Sequence, residues 1–314
     1  MGFASLLGND SLKEHLHNAF AGGRASHFYL ISGPEGSGKG HLAKLLAAAF
    51  LCEGADRPCG HCGPCRKVYG NVHPDVIYVT DPEHKNVPVK QIRQVRDDLF
   101  VRPNEGRHKV YILPQSLGVE GQNALLKVLE EPPKYGVFLL LTDNPETVLP
   151  TVRSRCVELK LQPLSRRMLL PVLQKEFPQA GETQWEAACR RSGGYLGQAR
   201  QLLAQQEAPD PKTIAFVHAY ASGNTLEIAQ TFAQMERLSR DQLQALLEQW
   251  LQILHDALLC RAGMPAISQE SGQLASALSA NQLNQGITAL QQALGYVQSN
   301  VAPGAICGWL AQTL

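Results

Sequence analysis

The stretch from Lys109 to Cys156 constrains the fold more than any other part of the sequence. It reads KVYIL, then GQNALLKVLEEPP, then GVFLLLTDN, then LPTVRSRC. Val110–Leu113 and Val137–Leu141 are short runs of Val, Ile, Leu and aromatic residues, bounded by Lys, Gly and Asp-Asn-Pro. Such runs suit strands buried on both faces of a parallel sheet. Between them Ala124, Leu125, Val128 and Leu129 recur at helical spacing, and Pro132 and Pro133 stop the helix. Strand, helix and parallel strand make one βαβ unit. It ends by presenting Arg155, between Ser154 and Cys156, just before a further apolar run, Val157–Leu161.

The rest of the N-terminal half repeats that alternation. Leu12–Ala19 is a helix with Asp10 or Ser11 as its cap. His27–Ser32 is a strand, His41–Leu51 an apolar helix, Asp75–Thr80 a strand and Val89–Phe100 a helix. Alternating strands and helices argue a parallel, three-layer α/β domain ending near residue 163. Beyond Pro163 no run reads as a strand. Ser165–Lys175, Thr183–Ser192 and Gly197–Gln206 are short helices, and Glu207–Pro211 (EAPDP) is a linker. Thr213–Ala221, Leu226–Met235, Arg240–Cys260, Ala280–Asn300 and Pro303–Thr313 are amphipathic helices. Leu243, Leu246, Leu247, Trp250, Leu251 and Leu254 form a stripe that suits a helix-bundle core.

At 314 residues the chain holds two or three domains. Its net charge of +1 demands neither nucleic acid nor membrane as partner. The start MGFASLLGND lacks the basic and apolar regions of a signal peptide, and no run is long enough to span a bilayer. The expectation is a cytoplasmic protein with no membrane contact.

Between the first strand and the first apolar helix stands Gly33-Pro34-Glu35-Gly36-Ser37-Gly38-Lys39-Gly40. Gly33, Gly36, Gly38 and Lys39 match a phosphate-binding loop, whose backbone N–H groups cradle phosphates while the lysine reaches the terminal ones. Gly40 stands where a Ser or Thr hydroxyl would hold Mg²⁺. The strand KVYIL ends in Pro114-Gln115, where a carboxylate pair would bind metal and position water. With all three groups missing, Mg²⁺ binding and ATP hydrolysis are not expected. Weak ATP or anion binding through Lys39 stays open.

Cys52, Cys59, Cys62 and Cys65 put four thiols within one short segment rich in Gly and Pro. A structural, tetrahedral Zn²⁺ site is the natural product. An Fe–S cluster, disulfides and free thiols are the alternatives, and His61 is a substitute ligand within the cluster. The remaining four cysteines are scattered, unlike a secreted disulfide framework.

The glycine loop, the cysteine insert directly after its helix, QNALLKVLEEPP and LPTVRSRC together resemble the bacterial DNA polymerase III clamp-loader subunits of the AAA+ class. The likeness runs over the whole chain and is nearest to the delta-prime type. It implies an AAA+-like α/β domain (1–163, with the zinc module at 52–65), a small helical lid (164–207) and a helical collar (208–314). It implies a subunit without ATPase activity of its own, assembled with gamma/tau and delta. The assembly loads a sliding clamp onto primed DNA, and Arg155 reaches the neighbouring ATP site in trans. A local salt bridge, or a charge cap on the preceding helix, is the plainer reading of Arg155. The active gamma/tau type carries Thr after the loop lysine, an Asp-Glu pair at 114–115 and an arginine before Ala199; here stand Gly40, Pro114-Gln115 and Gly197-Gln198. Two other functions compete: an ATP-hydrolysing gamma/tau-like subunit, and an independent zinc-dependent nucleic-acid-binding protein. Arg66 and Lys67 flank the cysteines without the aromatic residues that stack bases.

Overall fold

A computed structural model describes residues 2–84, 86–130, 132–204, 210–299 and 301–314, the side chains of Lys127 and Gln298 excepted. Two compact units emerge. One holds the residues up to Met168 together with Gly194–Gln198; the other holds Leu169–Gly193 and Ala199–Leu314.

The first unit is built on a five-stranded parallel sheet of β1 (Phe28–Ser32), β2 (Val76–Tyr78), β3 (Lys109–Leu113), β4 (Gly136–Thr142) and β5 (Val157–Lys160), in the order β2-β3-β4-β1-β5. Every residue of β1 and β3 is buried, as is all of β4 except Thr142. These continuous apolar runs therefore occupy the sheet centre, as expected for strands covered on both faces. Alternate residues feed two cores. Tyr29, Ile31, Val110, Ile112 and Leu139 pack with α2 (Lys39–Leu51), against which α1 (Asp10–Ala21) and α3 (Gly63–Tyr69) also lie. Phe28, Leu30, Tyr111, Leu113 and Phe138 face α4 (Val89–Leu99) and α5 (Val119–Glu130). On that second face Phe28, Phe138 and Tyr111 stack across three strands, with neighbouring rings 5.2 and 4.9 Å apart. β3, α5 and β4 form the expected βαβ unit.

Local chemistry moves several boundaries. The cap of α1 is Asn9, in a left-handed conformation, rather than Asp10 or Ser11. Its side chain makes no cap bond; Oδ1 instead accepts from the backbone N–H of Gln162, 2.8 Å away. β2 spans three residues, not the six of Asp75–Thr80, because it is an edge strand and Asp75 turns to another task. That task is a clamp. The fully buried carboxylate of Asp75 accepts the N–H groups of Asn104, Glu105 and Gly106 at 2.6–2.9 Å and holds the turn between α4 and β3. Two short helices escaped the periodicity: α3, inside the cysteine segment, and α6 (Pro150–Arg153), just before Arg155.

The second unit is helical throughout its described residues. In chain order come α7 (Arg166–Glu176, shared with the first unit), α8 (Glu182–Arg191), α9 (Leu196–Ala204, also shared), α10 (Pro211–Ser222), α11 (Thr225–Ala233), α12 (Arg240–Arg261), α13 (Gln269–Ala277), α14 (Ala280–Gln298) and α15 (Pro303–Thr313). The expected linker lies outside the described residues up to position 209. Its last two residues instead open α10, where the Asp210 side chain accepts from Lys212 N. Helix α13 went unread because Gly, Ser and Gln dominate it and only Ser271 and Leu274 are buried. The leucine stripe of α12 turns inward: Leu243, Leu246, Leu247, Trp250 and Leu254 are buried, and Phe216 stacks on Trp250 at 4.0 Å. A buried ion pair joins Arg191 of α8 to Asp256 of α12, each side chain at most 7% exposed. The Arg191 guanidinium also donates to Pro265 O, and Asp256 accepts from Ile267 N. No helix among the described residues is long and apolar enough to cross a membrane.

Candidate functional site

Three groups of residues singled out in the sequence lie on the first unit: the glycine loop, the cysteine segment and the arginine after α6.

The glycine loop joins β1 to the N-terminus of α2, the place where backbone N–H groups and the helix dipole favour an anion. Gly36 and Gly38 adopt φ of +74° and +98°, which L side chains rarely reach. Lys39 does not project into open solvent. Its ammonium donates to Gly33 O at 2.7 Å, Pro34 O at 2.9 Å and Asp143 Oδ1 at 2.5 Å. Asp143 follows β4 directly, so the loop cation already has an anion from its own chain. Gly40 is the second residue of α2, and a Cβ there would meet nothing within 4 Å. A hydroxyl side chain would fit; the sequence does not supply one.

The strand end opposite the loop is spent on architecture. Gln115 Oε1 accepts from Asp81 N at 2.8 Å, and its amide donates to His84 O. The Asp81 carboxylate accepts from His84 Nδ1 and from two backbone N–H groups of the same turn, which hold it below the usual carboxylate range. Beyond the carboxyl ends of β1, β3 and β4 lies a cavity of about 210 Å³, lined by Leu113, Gln115, Gln122 and Thr142 among others. Its polar lining is largely hydrogen-bonded within the chain.

A further contact falls on the loop. Gly197 N donates to Gly36 O at 2.9 Å, and Gln198 Nε2 donates to Glu35 O at 3.0 Å. The two backbones touch so closely that a Cβ on Gly197 would lie 2.5 Å from Gly36 Cα. Only glycine fits.

The four cysteines converge. The Sγ atoms of Cys52, Cys59, Cys62 and Cys65 all lie within 4.8 Å of one another, and all four are free thiols. A tetrahedron with metal–sulfur distances of about 2.3 Å needs sulfurs somewhat under 4 Å apart. Gly54 N and Cys59 N donate to Cys52 Sγ at 3.3 Å, and Cys62 N donates to Cys59 Sγ at 3.4 Å. Such N–H donors stabilise thiolates, and those of Cys62 and His61 lower the Cys59 thiol to about 6. Burial, by contrast, raises Cys65. Four sulfurs packed this tightly ionise together only around a cation, so the donor set fits a structural zinc site. His61 turns away: its Nδ1 bonds Cys59 O at 3.0 Å.

Arg155 is partly exposed. Its guanidinium donates to Thr151 O at 2.9 Å and to Glu130 Oε1 at 3.0 Å. This is the local salt bridge that the plainer reading expects. Burial pushes the neighbouring Cys156 thiol up to about 11, and its side chain packs against the core that α4 and α5 cover. Sequence reasoning missed what holds this loop in place. Gln122 of α5, 5% exposed, donates to Leu117 O and Thr147 O and accepts from Leu149 N at 2.7 Å. Arg153 is tied to Glu146 and Glu158 at 2.9 and 3.0 Å. The signal for Gln122 was its place in QNALLKVLEEPP; Asp143 gave none, standing 104 residues from Lys39.

Comparison with known proteins places the fold and site in context. The profile of the family described as DNA polymerase III, delta subunit matches residues 8–165. The tau subunit of Bacillus subtilis is 33% identical over 211 residues, 65% of this chain and 37% of that protein. The tau subunit of Escherichia coli is 31% identical over 244 residues, 75% of this chain and 38% of that protein. The delta′ subunit of Bacillus subtilis is 34% identical over 157 residues, 49% of this chain and 47% of that protein. The chain thus spans little more than a third of the tau relatives' length, and gamma/tau and delta′ relatives are equally near in identity. A DNA polymerase III gamma-subunit-related protein of Thermotoga maritima shares the fold, with a TM-score of 0.52 at 18% identity, over 96% of this chain and 97% of that one. With that profile matching half of its length, the parallel α/β unit included, the chain belongs to the family described as DNA polymerase III, delta subunit.

Proposed function

We propose that the chain is a non-hydrolysing, delta-prime-type clamp-loader subunit that assembles with gamma/tau and delta in the cytoplasm. In that assembly it helps load a sliding clamp onto primed DNA. The observation that carries this reading is a phosphate loop without the groups that turn ATP over. Gly40 offers no hydroxyl, Pro114 and Gln115 offer no carboxylate, and Gln115 is committed to the 81–84 turn. Any ATP or anion binding is weak, since Lys39 is already paired with Asp143.

On this reading residues 1–163 are the AAA+-like domain, 164–207 the lid and 208–314 the collar that carries oligomeric contacts. Cys52, Cys59, Cys62 and Cys65 hold one structural Zn²⁺, whose closed shell leaves no position for substrate. Arg155 acts on the ATP site of the neighbouring subunit, leaving Glu130 for the phosphate oxygens, which a guanidinium fork suits.

The competing reading is a gamma/tau-like ATPase, favoured by the many gamma/tau relatives. Two measurements separate them. The purified chain should show no ATPase above background, alone or as Gly40→Thr, and should co-purify with gamma/tau and delta. Turnover that co-migrates with the lone chain and vanishes in Lys39→Ala would establish the ATPase instead.

A further inference from the structure

Two histidines stand at the amino end of the sheet, opposite the glycine loop. His27 directly precedes β1 and His108 directly precedes β3. Each Nδ1 lies 3.1 Å from a backbone carbonyl: that of His27 from Gly136 O, at the start of β4, and that of His108 from Phe50 O in α2. A carbonyl only accepts, so both Nδ1 atoms carry the proton. Each Nε2 is left with a lone pair, and neither has a partner among the described residues. The two rings are 6.5 Å apart.

Positive charge gathers around them. Arg107 is exposed and has no ion-pair or hydrogen-bond partner among the described residues. Arg57, in the cysteine segment, engages only its Nε, with Gly54 O at 3.5 Å. With His27 they are the charged groups that act most on His108. The carboxylates of this region are committed elsewhere: Asp75 to the N–H groups of Asn104, Glu105 and Gly106, and Glu105 to Lys67. We infer that the cluster is a binding site for a phosphate-type oxyanion, held by the guanidinium groups of Arg57 and Arg107 and by Nε2 of His27 and His108. Charge decides the class of ligand. Two imidazole lone pairs alone would suit a transition metal. Two guanidinium groups beside them repel a cation and fork onto oxyanions. The 6.5 Å ring separation lets one anion oxygen accept from both rings at about 2.8 Å each.

Binding at this site is coupled to protons. Burial first, then His27, Arg57 and Arg107, hold His108 below the usual histidine range, and the bond to Phe50 opposes them. A lone pair cannot donate to an anion, so His108 gains its second proton as the anion arrives. The bound state holds more protons than the free one, and affinity rises as pH falls.

Sulfate is the probe, because its charge is constant across the histidine range. Calorimetric titration of the full chain should show sulfate affinity rising about tenfold from about pH 8 to about pH 6. Buffers of different ionisation enthalpy read the proton uptake. Arg107→Ala changes an exposed side chain and should weaken binding about tenfold at either pH. His108→Asn keeps a donor for Phe50 O but cannot titrate, and should lower the proton uptake. Lys39→Ala should alter neither quantity, which separates this site from the glycine loop. Inorganic phosphate and a single-stranded oligonucleotide are then competed against sulfate. Displacement by phosphate alone identifies a free anion, displacement by the strand a nucleic-acid backbone, and either supports the site. Displacement by neither overturns it. So does sulfate affinity that is unchanged in Arg107→Ala or lost in Lys39→Ala, or proton uptake unchanged in His108→Asn. An Nε2–H tautomer of either ring in long-range ¹H–¹⁵N spectra of the free chain also overturns it.

Discussion

Arg155 and Glu130 face each other across 3.0 Å, guanidinium to carboxylate, on the surface beyond α5. Thr151 O takes a second donor of the same guanidinium. An ion pair this exposed contributes only about 0–1 kcal/mol to folding. Arg155→Ala and Arg155→Lys should therefore leave folding and assembly intact. On the in-trans role proposed for Arg155, turnover at the neighbouring ATP site should fall by about 10³-fold or more. Glu130→Gln should preserve or raise it, because the guanidinium is then released. Single-turnover assays of the assembled loader with clamp and primed DNA give the readout; normal hydrolysis at that site in Arg155→Ala reduces Arg155 to its salt bridge.

The cysteine cluster predicts one Zn²⁺ per chain, found by elemental analysis of protein purified without added metal. Cys62→Ser should lower zinc content and Tm together. The loss should be read in the Gly63–Tyr69 helix, which carries Cys65. Zinc near zero with four titratable thiols would refute the site.

Asp75 predicts an acid-sensitive fold. Burial pushes its carboxyl up, but the N–H groups of Asn104, Glu105 and Gly106 outweigh that and hold it below the usual range. The unfolded chain therefore takes up this proton at higher pH than the folded one. The stabilisation is full above the unfolded value and is lost as pH falls below about 4. Asp75→Ala should cost about 2–4 kcal/mol at neutral pH, by stranding three donors. Denaturant titrations across pH should also show a shallower acid limb in the variant. An unchanged acid limb would remove Asp75 from this role.

The Arg191–Asp256 pair predicts a sharp asymmetry between single and double substitutions. Asp256→Ala leaves a buried guanidinium without its anion and should destabilise by about 3–5 kcal/mol. Arg191→Met combined with Asp256→Leu should recover most of that loss, since an apolar pair of similar volume needs no desolvation. Chemical denaturation of the three variants decides, and a double variant no better than the single one contradicts the argument.

The sheet was legible where burial is two-sided. β1, β3 and β4 carry uninterrupted apolar runs, and their positions shift by a residue or so at each end. β2 was over-read because DVIYVT is apolar enough for six residues, while only three pair at the edge. α3 was hidden by Pro64, Gly63 and Cys65, whose composition signals turns. In the site, the cysteines were legible because their spacing is local. The partners of Lys39, Gly36 and Arg155 were not: Asp143, Gly197 and Glu130 lie in other elements, brought close by topology alone.

The glycine at 197 also bears on what the chain could be made to do. A side chain placed there would meet the Gly36 backbone before it reached beyond the loop. A hydroxyl introduced at Gly40 would find room, but Pro114 and Gln115 beyond β3 offer no carboxylate to share a metal with it. Each change made alone is thus disruptive or unrewarded. An engineered phosphate switch would have to be installed in several places at once, and the first obstacle is the space of one missing methyl group.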